Sequence, residues 1–395
     1  MRWWEEGFAL SNVTSPATVV ADAVSGATGA GLVRDAADGS QVSLTVDGVA
    51  VRAPRGATIL AAAQAAGVRI PTLCYLHGVS NIGSCRVCVV EVEGRDRLVT
   101  ACNTPAEDGM VVRTGTERVL AARRSALDLI ISRHGLNTTN YCFSCPKNGA
   151  CELQDVCREV GVTEPSFDTC PPRKPLVEDN PFLAYDPNLC IECQRCVAAC
   201  NLAARNHTLV TGKAGVRTTI LAPFGPDWKQ TSCESCGCCA QACPTGALTE
   251  KRRRGYRSWE TKTVRTTCPH CGVGCQLDLV VKGGHVVDTH AANGPSNVSM
   301  MCVKGRSASF DFIDAPDRLT QPLVRSKVTG QLEPATWDEA LDAVVAGLGG
   351  IKETYGPSAN AFFACSRSTN EDIYLFEKMA RAAFGTNNVD NCARV

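Results

Sequence analysis

Between residues 190 and 244 the chain writes one cysteine pattern twice. Cys190-x2-Cys193-x2-Cys196-x3-Cys200 comes first, then Cys233-x2-Cys236-x2-Cys239-x3-Cys243 with Pro244 behind it. Three closely spaced thiolates can grip three irons of a cubane, and a fourth cysteine on the short helix that follows reaches across to the other cluster. The spacing therefore assigns Cys190, Cys193, Cys196 and Cys243 to one [4Fe–4S] cluster, and Cys233, Cys236, Cys239 and Cys200 to a second. A pair of zinc sites is the rival reading. Zinc usually takes its four ligands as two separated pairs, which this spacing does not offer. Two cubanes side by side form an electron conduit, so the remaining chain should supply its two ends.

At 395 residues the chain is too long for a single core and should hold several domains. Its 40 basic and 40 acidic side chains give no global bias toward nucleic acid. The clusters assigned below would add roughly −9 of inorganic charge, to be offset locally by backbone N–H groups and basic side chains. The 24 cysteines fall in Cys-x2-Cys groups within a long chain, which points to metal sites rather than to a disulfide framework. Met1–Gly7 carries two acidic residues with no apolar run behind it, and no stretch approaches a membrane span. The expected setting is cytoplasmic and reducing.

Residues 1–40 read as a variable extension, with Trp3 and Trp4 as its only docking candidates. In 41–115, Val42–Val46 alternates, Asp47-Gly48 signals a type I′ turn, and Val49–Ala53 returns as a second strand. Thr58–Ala66 reads as a helix ending at Gly67, followed by strands at Val87–Val92 and near Val111. Cys74-x10-Cys85-x2-Cys88-x13-Cys102 is threaded through them, with Gly83 beside the ligands. Together these describe a β-grasp domain carrying [2Fe–2S]. It resembles the ferredoxin domain of the complex I large iron–sulfur subunit, iron–iron hydrogenases and NAD-linked formate dehydrogenases.

In 116–178, Glu117–Arg133 is helical by period, with Val119, Leu120, Leu127, Ile130 and Ile131 on one side, and His134-Gly135 ends it. Cys142-x2-Cys145-x5-Cys151-Glu152-Leu153-Gln154 follows. In the same families a cubane is bound by one histidine and three cysteines of this spacing, which implies ligand roles for Cys142, Cys145 and Cys151. The fourth ligand stays open between His134, set back farther than the family histidine, and Cys157. A helical stretch then becomes proline-rich at Pro171, Pro172 and Pro175, with Cys170 as a spare thiol.

The two-cubane unit occupies 179–255, with a long insert containing Val216–Leu221 and Pro223-Phe224-Gly225. Cys238 breaks the second run and reads as a non-ligand. Lys251-Arg252-Arg253-Arg254 with Arg257 reads as a solvated linker face that balances cluster charge; it lacks the interleaved aromatics of a nucleic-acid patch.

In 262–320, Cys268-x2-Cys271-x3-Cys275 is completed by a distant Cys302. Gln276–Val281 and His285–Asp288 read as a hairpin turned at Gly283-Gly284. Cys-Pro-His-Cys-Gly-Val-Gly-Cys at 268–275 and Cys-Val-Lys-Gly-Arg at 302–306 resemble the amino-terminal [4Fe–4S] domain of molybdopterin oxidoreductases, formate dehydrogenase above all. The resemblance implies that Lys304 lies between cubane and pterin. In 321–395, Thr336–Ile351 reads as an amphipathic helix and Asn360–Ala364 as a buried strand. A polar turn and a helix to Phe384 follow, a βα unit whose turn can face a dinucleotide tail. Family likeness gives Ser366, Arg367, Asn370 and Glu371 contacts to the pterin dinucleotide; a plain N-cap explains Ser368 or Thr369 equally well. Gly385–Val395 resembles the segment just before the family's metal-binding selenocysteine or cysteine, so the expectation is a frame stopped at a UGA codon, with ordinary truncation as the rival.

The fold expected is multidomain α+β: a β-grasp [2Fe–2S] domain, a helical His/Cys [4Fe–4S] domain, a two-cluster [4Fe–4S] domain and the start of a molybdopterin oxidoreductase α/β domain. The resemblance implies the alpha subunit of an NAD-linked formate dehydrogenase. Its cofactors would be one [2Fe–2S], four [4Fe–4S] and molybdopterin guanine dinucleotide with Mo or W. Electrons would pass from formate oxidation to flavin/NAD-binding diaphorase-type subunits and a small [2Fe–2S] subunit. This polypeptide, lacking the active-site ligand, is expected to be inactive with formate by itself. Two alternatives share the front units: a non-catalytic electron-transfer subunit of complex I type, and an iron–iron hydrogenase.

Overall fold

The computed structural model describes residues 40–392 apart from 135–140, 168–173, 214, 216–217, 222–227, 299 and 308–309. The expectations on Trp3, Trp4, Cys170 and Pro223-Phe224-Gly225 lie outside the described residues.

Strand β1 (Gln41–Val46) turns through Asp47 and Gly48, at φ +47° and +82°, into β2 (Val49–Pro54). Positive φ at both central positions is the I′ geometry, whose twist suits the flanking strands. Helix α1 (Ile59–Ala65) starts at Thr58, whose hydroxyl accepts from Ala61 N at 3.2 Å, and buries Ile59, Leu60, Ala62 and Ala63. Strands β3 (Val89–Val92), β4 (Val99–Thr100) and β5 (Val111–Arg113) complete a sheet in the order β2-β1-β5-β3-β4. Only β1 and β5 run parallel in it. Two-residue β4 is too short to leave a periodic trace in sequence.

Helix α2 (Glu117–Arg133) covers the expected span and buries Val119, Leu127 and Ile131. Arg123 is buried with them, donating to Val89 O at 2.9 Å and so tying the helix to the sheet. After α3 (Tyr141–Ser144), α4 (Glu152–Val160) lays Leu153, Val156 and Val160 against Leu127 and Ile131.

The doubled cysteine run is framed by β6 (Leu183–Tyr185) before it and β9 (Leu248–Glu250) after it, paired antiparallel. Between them lie α5 (Arg195–Ala198), the hairpin β7 (Val210–Gly212) with β8 (Thr219–Leu221), and α6 (Cys238–Ala242). The basic run beyond is only in part the solvated face expected: Arg254 is exposed, Lys251 and Arg252 are half-buried and Arg253 is buried. Arg252 pairs with Asp311 at 2.7 Å, Arg254 pairs with Glu178, and Arg253 is buried over the Tyr256 ring at 4.6 Å. Folding supplied internal partners that the sequence run did not reveal.

Strands β10 (Lys262–Thr267), β11 (Gln276–Lys282) and β12 (His285–Ala291) form an antiparallel sheet, one strand more than the expected hairpin. The ribbon β13 (Asn293–Gly294) with β14 (Asn297–Val298) leads to short α7 (Val303–Arg306). Hairpin β15 (Leu323–Arg325) with β16 (Leu332–Pro334) precedes α8 (Trp337–Tyr355), which opens on a Thr336–Glu339 capping box. Finally β17 (Phe362–Ala364), α9 (Asn370–Met379) and β18 (Val389–Asn391) form a unit with parallel strands. The strand expected to be buried is covered on one face only: Phe362 packs on Phe376 and Phe384, whereas Phe363 is 76% exposed. Among the described residues no helix is long and apolar enough to cross a membrane.

Candidate functional site

Four groups of cysteine side chains are built on these elements. Cys74 and Cys85 lie in the loop after α1, Cys88 just before β3 and Cys102 just after β4; all but Cys85 are fully buried. Their sulfurs stand close enough to hydrogen-bond. Through Cys102 and then Cys85 the Cys74 thiol is held down at about 2, and Cys102 likewise lowers Cys88, while Cys85 and Cys102 are pushed up as the donors. Four thiols competing for protons in so small a space suit a positive inorganic group that would ionise them all. Gly83 has φ +65°, and a Cβ there would stand 2.7 Å from Asn103 Nδ2. The glycine is thus required by backbone and by Asn103, a neighbour not visible in the motif.

The doubled run repeats in its backbone as well as in its spacing. Glu192 and Gln194 in the first loop are left-handed at φ +55° and +61°, and Ser235 and Gly237 occupy the matching places in the second at +54° and +76°. Side-chain-bearing residues adopt that region only where the surroundings hold them, and turns of this kind direct N–H groups into an anion-binding concavity. Glu192 N donates to Cys190 Sγ and Ser235 N to Cys233 Sγ, both at 3.4 Å, and Asn180 Nδ2 adds a donor to Cys233 at 3.6 Å. The charge of Cys243 acts on Cys190, Cys193 and Cys196, and that of Cys200 acts on Cys233 and Cys239. Cys243 thus stands with the three of the first run, and Cys200 with Cys233 and Cys239 of the second. Cys190, Cys193, Cys196 and Cys243 line one recess with Tyr185, Ile220 and Leu248. Burial pushes the Cys190 thiol up to about 11 and raises Cys196 and Cys239 well above their ordinary range. Thiols so held are neutral alone, and iron is what would make them thiolates. Cys238 Sγ instead reaches Met301 O at 3.8 Å.

Cys145, Cys151 and Cys142 lie beside the unit just described: Cys151 Sγ is 3.7 Å from Pro244 O, and Lys147 donates to Cys243 O at 2.7 Å. His134 caps α2, is 5% exposed, and neither ring nitrogen has a hydrogen-bond partner among the described residues. Burial lowers its pKa to about 4, leaving a neutral imidazole, the form that ligates metal. The charge that reaches it is that of Asp186, whereas Cys157 feels Cys142. A bidentate pair, Arg195 to Glu152 at 2.6 and 3.1 Å, joins this group to the first ferredoxin-type loop.

Cys268, Cys271, Cys275 and Cys302 act on one another electrostatically and form the last group. Lys304 is exposed on α7, with no hydrogen bond or ion pair among the described residues. The turn after β17 lies against this group, since Ser366 O would stand 3.0 Å from a Cβ on Gly272. Thr369 is the N-cap of α9, accepting from Asp372 N at 3.2 Å, which leaves Arg367, Asn370 and Glu371 exposed and Ser366 half-buried. Ser366 N also meets Cys392 Sγ at 3.4 Å, beyond the end of β18.

Among the described residues no three His, Cys, Asp or Glu side chains converge as ligands of a single ion would. Cluster thiolates instead stand apart around the edges of a larger group. Sequence reasoning gave no role to Asn180, Arg195, Glu152, Arg306 or Glu250, although Arg195 stands inside a cysteine run and Glu152 and Arg306 inside the quoted motifs.

Residues 39–117 match a 2Fe-2S iron-sulfur cluster binding domain, and 123–166 an NADH-ubiquinone oxidoreductase-G iron-sulfur binding region. Residues 189–247 match a 4Fe-4S dicluster domain, 261–311 a molybdopterin oxidoreductase Fe4S4 domain, and 318–395 the molybdopterin oxidoreductase family. These matches place iron–sulfur cluster-binding regions in front of a region similar to molybdopterin oxidoreductases. The NADPH-Fe(3+) oxidoreductase subunit alpha of Geobacter sulfurreducens is 37% identical over 90% of this chain and 40% of its own length. An NADH-quinone oxidoreductase subunit of Rhizobium meliloti is 37% identical over 89% of this chain and 40% of its own. A Bacillus subtilis protein named "Putative formate dehydrogenase YrhE" is 33% identical over 90% and 40%. The chain spans about two fifths of the length of the curated relatives it matches.

Proposed function

We propose that this chain is the iron–sulfur portion of a formate dehydrogenase catalytic subunit, passing electrons from formate oxidation to flavin/NAD(H) partner subunits. The carrying observation is the gathering of Cys268, Cys271, Cys275 and Cys302 beside the turn at Ser366, at the carboxyl end of a parallel strand pair. Open α/β folds bind ligands at that end. When bound, the clusters supply one-electron carriers and a Mo/W–pterin supplies the two-electron exchange with formate. The protein's residues hold sulfur at fixed spacing, exclude water, and aim N–H groups at thiolates. In this reading Cys74, Cys85, Cys88 and Cys102 hold [2Fe–2S], and the two ferredoxin-type sets hold cubanes as their spacing assigns. The domains divide at 41–115, 116–178, 179–255, 262–320 and 321–395.

For the cubane of Cys142, Cys145 and Cys151, the buried neutral imidazole of His134, without a hydrogen-bond partner among the described residues, supports it over Cys157 as fourth ligand. His134→Ala should lose about four irons and one EPR signal, whereas Cys157→Ala keeps both. Unchanged iron in His134→Ala would reverse the choice.

Lys304, two residues beyond Cys302 and with no hydrogen bond or ion pair among the described residues, suits contact with a pterin. In the full-length enzyme Lys304→Met should slow formate-linked electron transfer by about 10²-fold or more, the worth of one preorganised donor, with iron content unaltered. Undiminished turnover would refute the role.

A second reading draws support from two relatives at 37% identity against 33% for the formate dehydrogenase-named one. In it the chain carries electrons between NAD(P)H and another acceptor without formate chemistry. Full-length protein purified without oxygen separates the two. Formate-dependent NAD(P)+ reduction with bound Mo or W supports the first; NAD(P)H oxidation with formate inert selects the second.

A further inference from the structure

Arg306 ends α7, four residues beyond Cys302, yet its side chain is spent on the neighbouring unit. It is 1% exposed and pairs with Glu250, itself 11% exposed, at 3.0 Å from Nη1. Its Nη2 donates to Gln241 Oε1 on α6. With both arms fixed, the guanidinium cannot turn, and Nε is left buried with no partner among the described residues. That Nε lies over Gly237: a Cβ there would stand 2.8 Å from it and would overlap Arg306 Cδ. Gly237 separates Cys236 from Cys238 and Cys239, and the Arg306 charge reaches Cys236 and Cys238. The same seam is fastened twice more, by Cys238 Sγ to Met301 O at 3.8 Å and Gln241 Nε2 to Ala291 O at 3.0 Å.

A guanidinium keeps its proton, so the Nε–H is a permanent donor. A buried donor without an acceptor is costly, and sulfur of a cluster in the loop would be an acceptor beside it. We propose that Arg306 is a positioning residue for the cluster held by Cys200, Cys233, Cys236 and Cys239, donating Nε–H to its sulfur and raising its midpoint potential. This rests on the cluster assignment above. A cation and an N–H directed at sulfur favour the electron-rich state, and Glu250 opposes part of that effect. Arg306 reaches from the Cys302 unit to the next cubane, so it would bias one electron toward leaving the pterin-side cluster for this one.

The test is an EPR-monitored redox titration of the full chain, purified without oxygen. Arg306→Met should keep full iron and lower the midpoint of one cubane. At the native midpoint its reduced-to-oxidised ratio should fall about tenfold, or 59 mV for one electron. Glu250→Gln, which keeps a hydrogen-bonding oxygen but removes the opposing charge, should move the same signal upward. A purely structural clamp would not give shifts of opposite sign. Full iron with an unmoved midpoint in Arg306→Met overturns the inference and leaves the cluster assignment standing. If Arg306→Met loses iron, Glu250→Gln decides: an upward shift supports the role and an unmoved signal overturns it. A native chain with no cubane signal overturns the assignment and the inference with it.

Discussion

Replacing Cys243 with Ser is expected to cost the chain about four irons of about 18, and the loss should fall on the cluster of the other cysteine run. Cys243 ends α6 within the second run, but its charge acts on Cys190, Cys193 and Cys196, and it lines one recess with all three. The crossing is held by the backbone around it. Thr245 Oγ1 donates to Leu189 O at 2.8 Å and Asp186 N to Ala247 O at 2.7 Å, closing the segment after the second run onto the first. Cys239→Ser should remove the other cubane, because Cys239 feels Cys233, Cys236 and Cys200. Iron analysis with EPR on the two single variants reads the result. If Cys243→Ser and Cys239→Ser erase the same signal and spare the other, the crossed assignment is wrong.

Glu250→Ala is expected to loosen the seam between the two-run unit and the three-stranded sheet that follows. Removing one partner of a buried ion pair leaves an uncompensated charge and costs about 3–5 kcal/mol. Arg306, 1% exposed, has in Glu250 its only carboxylate partner among the described residues. The loss should appear as local opening rather than global unfolding, since several units melt independently in a chain of this kind. Amide hydrogen exchange in α6 should quicken by a few hundred- to a few thousand-fold, that energy expressed as an opening equilibrium. Exchange in α2, far from the seam, should stay as it is. Native-like protection of α6 in Glu250→Ala would show that Arg306 is supported otherwise.

Much of the local structure was legible. The I′ turn at Asp47-Gly48 and the span of α2 follow from dihedral preference and 3.6-residue periodicity, which act within a few positions. The start of α8 likewise agrees with the helix expected over Thr336–Ile351, although the helix runs on to Tyr355. What escaped was short or long-range. Two-residue β4 and the polar strand β10, whose residues are mostly exposed, carry no apolar alternation to read. The basic run at Lys251–Arg254 looked like a solvated face because charge in sequence says nothing about which acids come to meet it. Phe363 read as core in an apolar run, whereas only the face of β17 toward α9 is covered.

The sequence by itself marked the nucleus of each expected cluster set, because cysteines a few residues apart can grip one cluster locally, whereas Cys74, Cys102, Cys302 and the crossed Cys200 and Cys243 stand farther off in the chain. Tertiary structure alone decided how successive groups are joined. Arg306 meets Glu250 across 56 positions and Arg195 meets Glu152 across 43. Such pairings exist only once burial makes an unpaired charge costly, and no local preference encodes them.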